Sequence, residues 1–409
     1  MRNEMIGRKQ DAGNAWLRGV AMSGVLLSLL GVPQQAAAAT ADEQFRQYII
    51  SICNTATVPP TWDDAKVTDM CNNFFQGGGA AAGAQNISIN LGTGNAGNRS
   101  ALRNKVIRQS LGEEEEKVKP KKKGASADGG GWGLLLAPQY SKSKRIETNL
   151  ENGFNADLMG LGMGLDYRFS DRFVFGSLVS HVKDEATFLN SAGNLNTRST
   201  TLTMYGTWLP TDSVSVDGYL GYGQIKLDSQ RRVILGTLIS GTASGNTMGK
   251  QIMGGFSASY QKDFGMVNVS PFINLNSIKT TFDGYNETGN TSLELHFNDR
   301  KSLSTTSSIG VRTSTAHGYR WGSLSPSVRI AAIHEYQNNA VQISNELVVT
   351  PGAGFLVATD APDRNYLSAG AGVAAGLNNG TQLFFNYEAR VKDKFLTSWA
   401  VSGGVLMEF

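Results

Sequence analysis

His334-Glu335 is the stretch of this sequence that comes nearest to a metal-binding pattern, and it falls short. A zinc helix needs a second His at helical spacing, so that both rings share one face, and none follows here. His296 with Asp283 or Asp299, all in one expected loop, is the only conceivable acid–base grouping among the four His residues, His181, His296, His317 and His334. Gly245-Asn-Thr-Met-Gly-Lys250 is one residue short of a phosphate loop and continues with Gln instead of Ser or Thr. Gly160-Leu-Gly-Met-Gly reads as a strand of small residues, and no Gly-x-Ser-x-Gly elbow occurs. The expectation is therefore no catalytic residue, no cofactor, no metal and no enzyme. Cys53 and Cys71 are the only cysteines, with no His beside them to complete a metal site. In an exported segment they are expected to form a disulfide.

Export is read from the amino end. Arg2, Arg8, Lys9 and Arg18 precede the apolar stretch 19–32, and the small residues of 36–41 follow it. This is the order of a secretory signal peptide, assigned to residues 1–39. The apolar core is shorter than the roughly 20 residues that span a bilayer. With 17% charged residues and 48 Gly, the whole chain is charge-poor, and its net charge of +3 is too small to suggest nucleic acid.

Residues 40–97 hold the Cys pair, two weakly helical stretches at 43–52 and 63–75, and a Gly/Ala/Asn linker. Residues 98–123 place Leu102, Val106, Ser110 and Leu111 at helical spacing, with Arg99, Arg103, Lys105 and Arg108 on other faces. Read alone, that segment is a solvated charged helix.

From residue 131 onward the period is two. Leu383, Phe385, Tyr387, Ala389 and Val391 alternate with Gln382, Asn386, Glu388, Arg390 and Lys392, and the same pattern recurs. Strands are expected at 131–140, 156–169, 173–183, 196–209, 214–227, 247–262, 267–282, 300–316, 322–336, 366–377, 381–392 and 396–409. Short and long connections alternate up to the tenth strand, with 184–195, 228–246, 283–299 and 337–365 among the long ones. Twelve antiparallel strands with short turns at one end and long loops at the other describe a transmembrane barrel. Arg312, Arg329, Glu335, Glu388 and Arg390 fall on the polar parity of their strands, which puts them in the lumen because hydrocarbon would not accept them. Mid-strand glycines such as Gly160, Gly254 and Gly370 are expected on the inner face.

Four stretches carry a family resemblance: Gly131-Trp132-Gly-Leu; Leu324-Ser-Pro326 with Ile333-His334-Glu335-Tyr336; Arg364 through Gly372; and Phe384 through Arg390 followed by 395–409. In these the chain resembles the autotransporter β-domain, the translocator of type V secretion. The resemblance implies an all-β fold, a twelve-stranded antiparallel transmembrane β-barrel with an amino-terminal pore helix, and it turns residues 98–123 into that helix. It also implies that Val401, Val405, Met407 and Phe409 form the carboxy-terminal signal for the outer-membrane barrel assembly machinery. The other expected partners are outer-membrane lipid and, through the signal peptide, the inner-membrane secretion machinery.

The function expected is an outer-membrane protein whose barrel, residues 131–409, translocates or displays the short passenger 40–97 at the cell surface. The alternative is a passive outer-membrane pore, or a structural or adhesive surface barrel. The passenger is short for the family and lacks the repeats of a long β-helix. No doubled Asn marks a self-cleavage point; Asn104 stands alone between Arg103 and Lys105.

Overall fold

The computed structural model describes residues 41–55, 59–76, 131–148, 150–170, 172–235, 239–337, 342–361 and 363–409. The expected signal peptide 1–39, most of the linker and the expected helix 98–123 lie outside the described residues. Two helices come first, α1 (Ala41–Cys53) and α2 (Asp64–Gln76). Twelve long strands follow: β1 (Gly131–Arg145), β2 (Phe154–Ser170), β3 (Phe173–Phe188), β4 (Gly193–Thr211), β5 (Val214–Leu235), β6 (Ile239–Tyr260), β8 (Val267–Phe282), β11 (Arg300–Thr315), β13 (Gly322–Glu335), β16 (Asn365–Leu377), β17 (Thr381–Val391) and β18 (Leu396–Glu408). The short strands β7 (Lys262–Phe264) and β12 (His317–Tyr319) continue β6 and β11 and pair with β8 and β13 at the turns.

Each long strand pairs antiparallel with the next, and the ring is closed by β8 on β11 and by β1 on β18. Closure leaves no open edge in the wall, which is what a sheet surrounded by lipid requires. At the seam Gly133 faces Glu408 and Arg145 faces Leu396. Trp132 and Phe409 exchange both backbone hydrogen bonds, at 3.0 and 2.9 Å.

The burial pattern is inverted relative to a water-soluble barrel. Leu220, Met159, Ile309 and Phe385 are 72%, 63%, 67% and 52% exposed, while Thr203, Thr201, Gln251 and Ser398 point inward and are buried. Apolar residues on the outside and polar ones inside place this wall in a bilayer. Tyr167, Phe169, Phe173, Tyr319 and Trp321 ring the turn end, with Tyr140 and Trp399 packed edge to face nearer the loops.

Two expectations change. The long connections 184–195 and 228–246 are mostly strand, because β3 runs to Phe188 and β5 and β6 each have 22 residues. The alternation fades there because outward positions such as Lys226, Gln230 and Arg232 meet water instead of lipid, while the backbone pairing continues. Gly254 lies on the outer face, where a Cβ would meet Leu220 Cδ2 at 3.0 Å. Gly160 lies inside, and a Cβ there would meet the Gln139 side chain at 2.4 Å.

The long connections 283–299 and 337–364 supply a second, four-stranded antiparallel sheet of β9 (Tyr285–Asn286), β10 (Leu295–Phe297), β14 (Gln342–Leu347) and β15 (Gly354–Ala358), ordered β15-β14-β10-β9. A bridge between Ser244 and Thr288 ties this sheet to β6.

Candidate functional site

The loop end of the barrel carries an ordinary hydrophobic core, built between α1, α2 and the loop sheet. In α1, Phe45, Tyr48, Ile49 and Ile52 recur at the i, i+3, i+4, i+7 spacing of one helical face. That face is buried, with Ile49 at 0%, against Leu347, Val349, Phe355 and Val357 of the sheet. Val67 and Met70 of α2, Leu293 and Leu295 of one long connection, and Val233 and Ala243 of the β5–β6 hairpin complete it. Tyr48 stacks on Phe355 at 4.5 Å between ring centroids, and Phe45 meets the same ring edge-on at 5.3 Å.

Polar contacts fix the angle of the hairpin. Tyr48 donates its hydroxyl hydrogen to the Ala353 carbonyl at 2.5 Å and lies 3.1 Å from Thr350 Oγ1. Burial pushes the Tyr48 hydroxyl above its ordinary pKa. The Asp63 N–H donates to the Val349 carbonyl at 3.0 Å, and Trp62 Nε1 to that of Pro351 at 3.3 Å. Asp63 also caps α2, accepting from the Lys66 N–H at 3.3 Å. Cys53, at the end of α1, is disulfide-bonded to Cys71 of α2, with the Cα atoms 5.5 Å apart.

Beneath the core the loops are latched by buried ion pairs. Arg231 donates to Glu287 through Nε at 3.1 Å and to the Leu293 carbonyl at 2.8 Å. Arg145 is shared by Glu151 and by Asp360, the latter at 2.9 Å, and Thr148 donates to Asp360 at 2.5 Å. Burial raises the Glu151 carboxyl to about 7; Arg145 opposes that shift and Asp360 adds to it.

The residues expected in the lumen all lie on inward-facing positions. Glu335 is 3% exposed and accepts from Ser304 Oγ at 2.6 Å and the Thr305 N–H at 3.0 Å. Arg390 is buried, lies over the Tyr366 ring at 3.8 Å and donates to Asp393 at 2.7 Å. Arg329 lies over Phe272 at 4.1 Å. Arg312 and Glu388 are buried on β11 and β17. The lumen is not uniformly polar, however. Leu135, Leu178, Tyr205, Tyr219, Met253 and Ile278 form a buried apolar cluster on the inner face of β1, β3, β4, β5, β6 and β8. Val401, Val405, Met407 and Phe409 share the outer face of the last strand and its end, with Phe409 70% exposed.

His296 does not join an acidic residue: its Nδ1 lies 2.5 Å from Asn286 Oδ1, while Asp299 accepts from the Gly284 N–H at 2.7 Å. Sequence reasoning missed the loop core. Its signals were the apolar face of α1 and the alternation of Phe355 and Val357.

The profile of the autotransporter β-domain matches residues 135–388. The chain belongs to the autotransporter β-domain family. Solved structures show the same fold. The translocator domain of the autotransporter NalP from Neisseria meningitidis superposes with a TM-score of 0.58 at 14% identity, over 77% of this chain and 97% of that one. The β-domain of the Bordetella autotransporter BrkA gives 0.51 at 17% identity, over 69% and 100%. A curated relative, Lipase 1 of Photorhabdus luminescens, is 26% identical over 191 residues, which are 46% of this chain and 28% of that protein. The chain thus spans just over a quarter of the curated relative that it matches. As an autotransporter barrel, the wall described above resides in the outer membrane.

Proposed function

We propose that this autotransporter displays residues 40–97 at the cell surface as a folded, disulfide-stapled hairpin seated on its own loops. Residues 98–123 serve as a helix through the pore. One observation carries the reading: α1 and α2 pack on the sheet at the loop end, whereas the chain enters the wall at Gly131, at the turn end. Residues 77–130 join the two ends of a closed barrel whose first strand alone has 15 residues, about 50 Å at about 3.3 Å per residue. With lipid outside, the lumen is the route open to a chain of this composition.

The lumen offers such a helix both kinds of contact. Its apolar stripe from Leu135 to Ile278 suits Leu102, Val106 and Leu111. Glu335 and Glu388 suit the Arg and Lys residues of 98–108. Val401, Val405, Met407 and Phe409 present the outward apolar face that the barrel assembly machinery would read.

A protease-sensitive tag placed between Thr55 and Pro59 tests display. In intact cells with a folded barrel the tag is expected to be cut; full protection would leave the passive-pore reading in its place. Deletion of 98–123 is expected to raise single-channel conductance, and an unchanged current would remove the pore helix from the scheme.

A further inference from the structure

The outward face of the barrel carries a one-sided arc of basic residues at its loop-end border. Lys183 of β3 stands directly opposite Arg198 of β4, and Arg198 directly opposite Lys226 of β5. Lys250 of β6, Lys279 of β8 and Lys301 of β11 continue the arc, each diagonal to the one before: Lys250 pairs with Thr281 and Gln224, Lys279 with Ile252, and Lys301 with Thr281. All six are exposed. The other side of the barrel is different in kind. Among the described residues, β13, β16, β17 and β18 place no Lys, Arg, Asp or Glu on their outer face.

Like charges directly opposite each other on paired strands repel. The neighbouring acids relieve this only in part. Glu185 takes Lys183, and Asp228 lies 3.8 Å from Lys226. Both acids sit one pleat nearer the loops, and they leave Arg198, Lys250, Lys279 and Lys301 without an ion pair among the described residues. A row of Lys, Arg and Lys calls for an anion, and Arg at its centre offers the planar fork that grips phosphate oxygens two at a time.

Height on the wall says where that anion comes from. From Phe173 at the turn end to Lys183, about ten residues at about 3.3 Å each, tilted by about 40°, rise about 25 Å. That is the thickness of the apolar band of an outer-membrane barrel, so the arc sits at its edge. One outward polar row of His181, Thr200 and Gln224 lies beneath the central three. Under it Val179, Leu202 and Tyr222, with Ile252 below Lys250, are 52%, 47%, 47% and 59% exposed. Basic groups one polar row above an apolar wall match a molecule with phosphate at one end and acyl chains at the other.

We infer that the arc centred on Lys183, Arg198 and Lys226 is a docking site for the phosphorylated headgroup of a membrane lipid in the leaflet at the loop end. The inference rests on the outer-membrane placement of the barrel and is independent of where residues 40–97 end up. The test is native mass spectrometry of the full chain in nonionic detergent, titrated with diphosphorylated lipid A, with its dephosphorylated form and with inorganic phosphate. Lipid A is expected to bind, and the Lys183→Gln/Arg198→Gln/Lys226→Gln variant is expected to lose at least about tenfold in affinity. Lys142→Gln/Lys144→Gln, on β1 outside the arc, is expected to stay within about twofold. Equal binding by the triple variant or by dephosphorylated lipid A overturns the site. Complete displacement of lipid A by inorganic phosphate at matched concentration overturns the lipid in favour of free phosphate. Heat-modifiable gel mobility reports whether the variants fold. If the triple variant does not, Arg198→Gln alone and the salt dependence of wild-type binding decide, and affinity indifferent to both sinks the proposal.

Discussion

The barrel wall and the loop-end core are built from the same residue types arranged in opposite senses. In the wall Leu220 and Met159 face outward and Thr203 and Gln251 face inward. At the loop end, in the core around Ile49, Met70 and Leu347, the apolar side chains are inside. One chain therefore records two solvents. Lipid makes an outward Leu favourable, and water makes the same residue favourable only when covered.

The sharpest way to break this contrast is to put a charge at matched positions. Ile49→Asp buries an unpaired carboxylate in the core and is expected to cost about 4 kcal/mol or more, releasing α1 and α2 from the loops. Protease should then digest 41–76 while the barrel keeps its heat-modifiable mobility. Leu220→Arg is expected to cost the wall about 2–4 kcal/mol, read from urea unfolding in lipid, with the loop core intact. If both substitutions damage both regions, the two are not separate in stability.

Removing the staple is a smaller perturbation. The Cys53–Cys71 bridge closes a loop with a sequence separation of 18. On the chain-entropy account Cys53→Ser/Cys71→Ser costs about 3 kcal/mol, confined to the hairpin. Hydrogen exchange should rise in 41–76 and not in β1 to β6.

The smallest effect is a pH dependence at the Arg145 latch. Because folding raises the Glu151 carboxyl from 4.5 to about 7, its stabilising contribution is complete below 4.5 and is lost as pH rises through about 7. Exchange in 146–148 and 359–361, corrected for intrinsic rates, should accelerate between about pH 4.5 and 7 and level off above it. Glu151→Gln should flatten that slope.

How legible each region was follows from the same physics. All twelve wall strands could be read from period-two alternation, because lipid on one side and a polar lumen on the other impose it residue by residue. The reading stopped short where β5 passes Leu227, since beyond that point the outward face meets water and the inward face mixes Ser229 and Arg231 with Val233. The loop sheet was not legible. Leu295 lies far in sequence from Leu347 and Phe355, and the brief alternation of Phe355 and Val357 does not say which strand it pairs with. The face of α1 could be read, yet nothing in the sequence said what it would cover. The basic arc was hidden for a different reason: Lys183, Arg198 and Lys226 become neighbours only once the register is known.

The seam between β1 and β18 sets a timetable. Every other join in the wall links strands that follow one another in the ring and lie near in sequence. The join of Gly133 to Glu408 spans the whole wall, and until it forms two edges stand open with their backbone groups unmet. Assembly of this wall therefore has one join of far longer reach than the rest, and any factor that shelters an unclosed sheet has those two strands to hold.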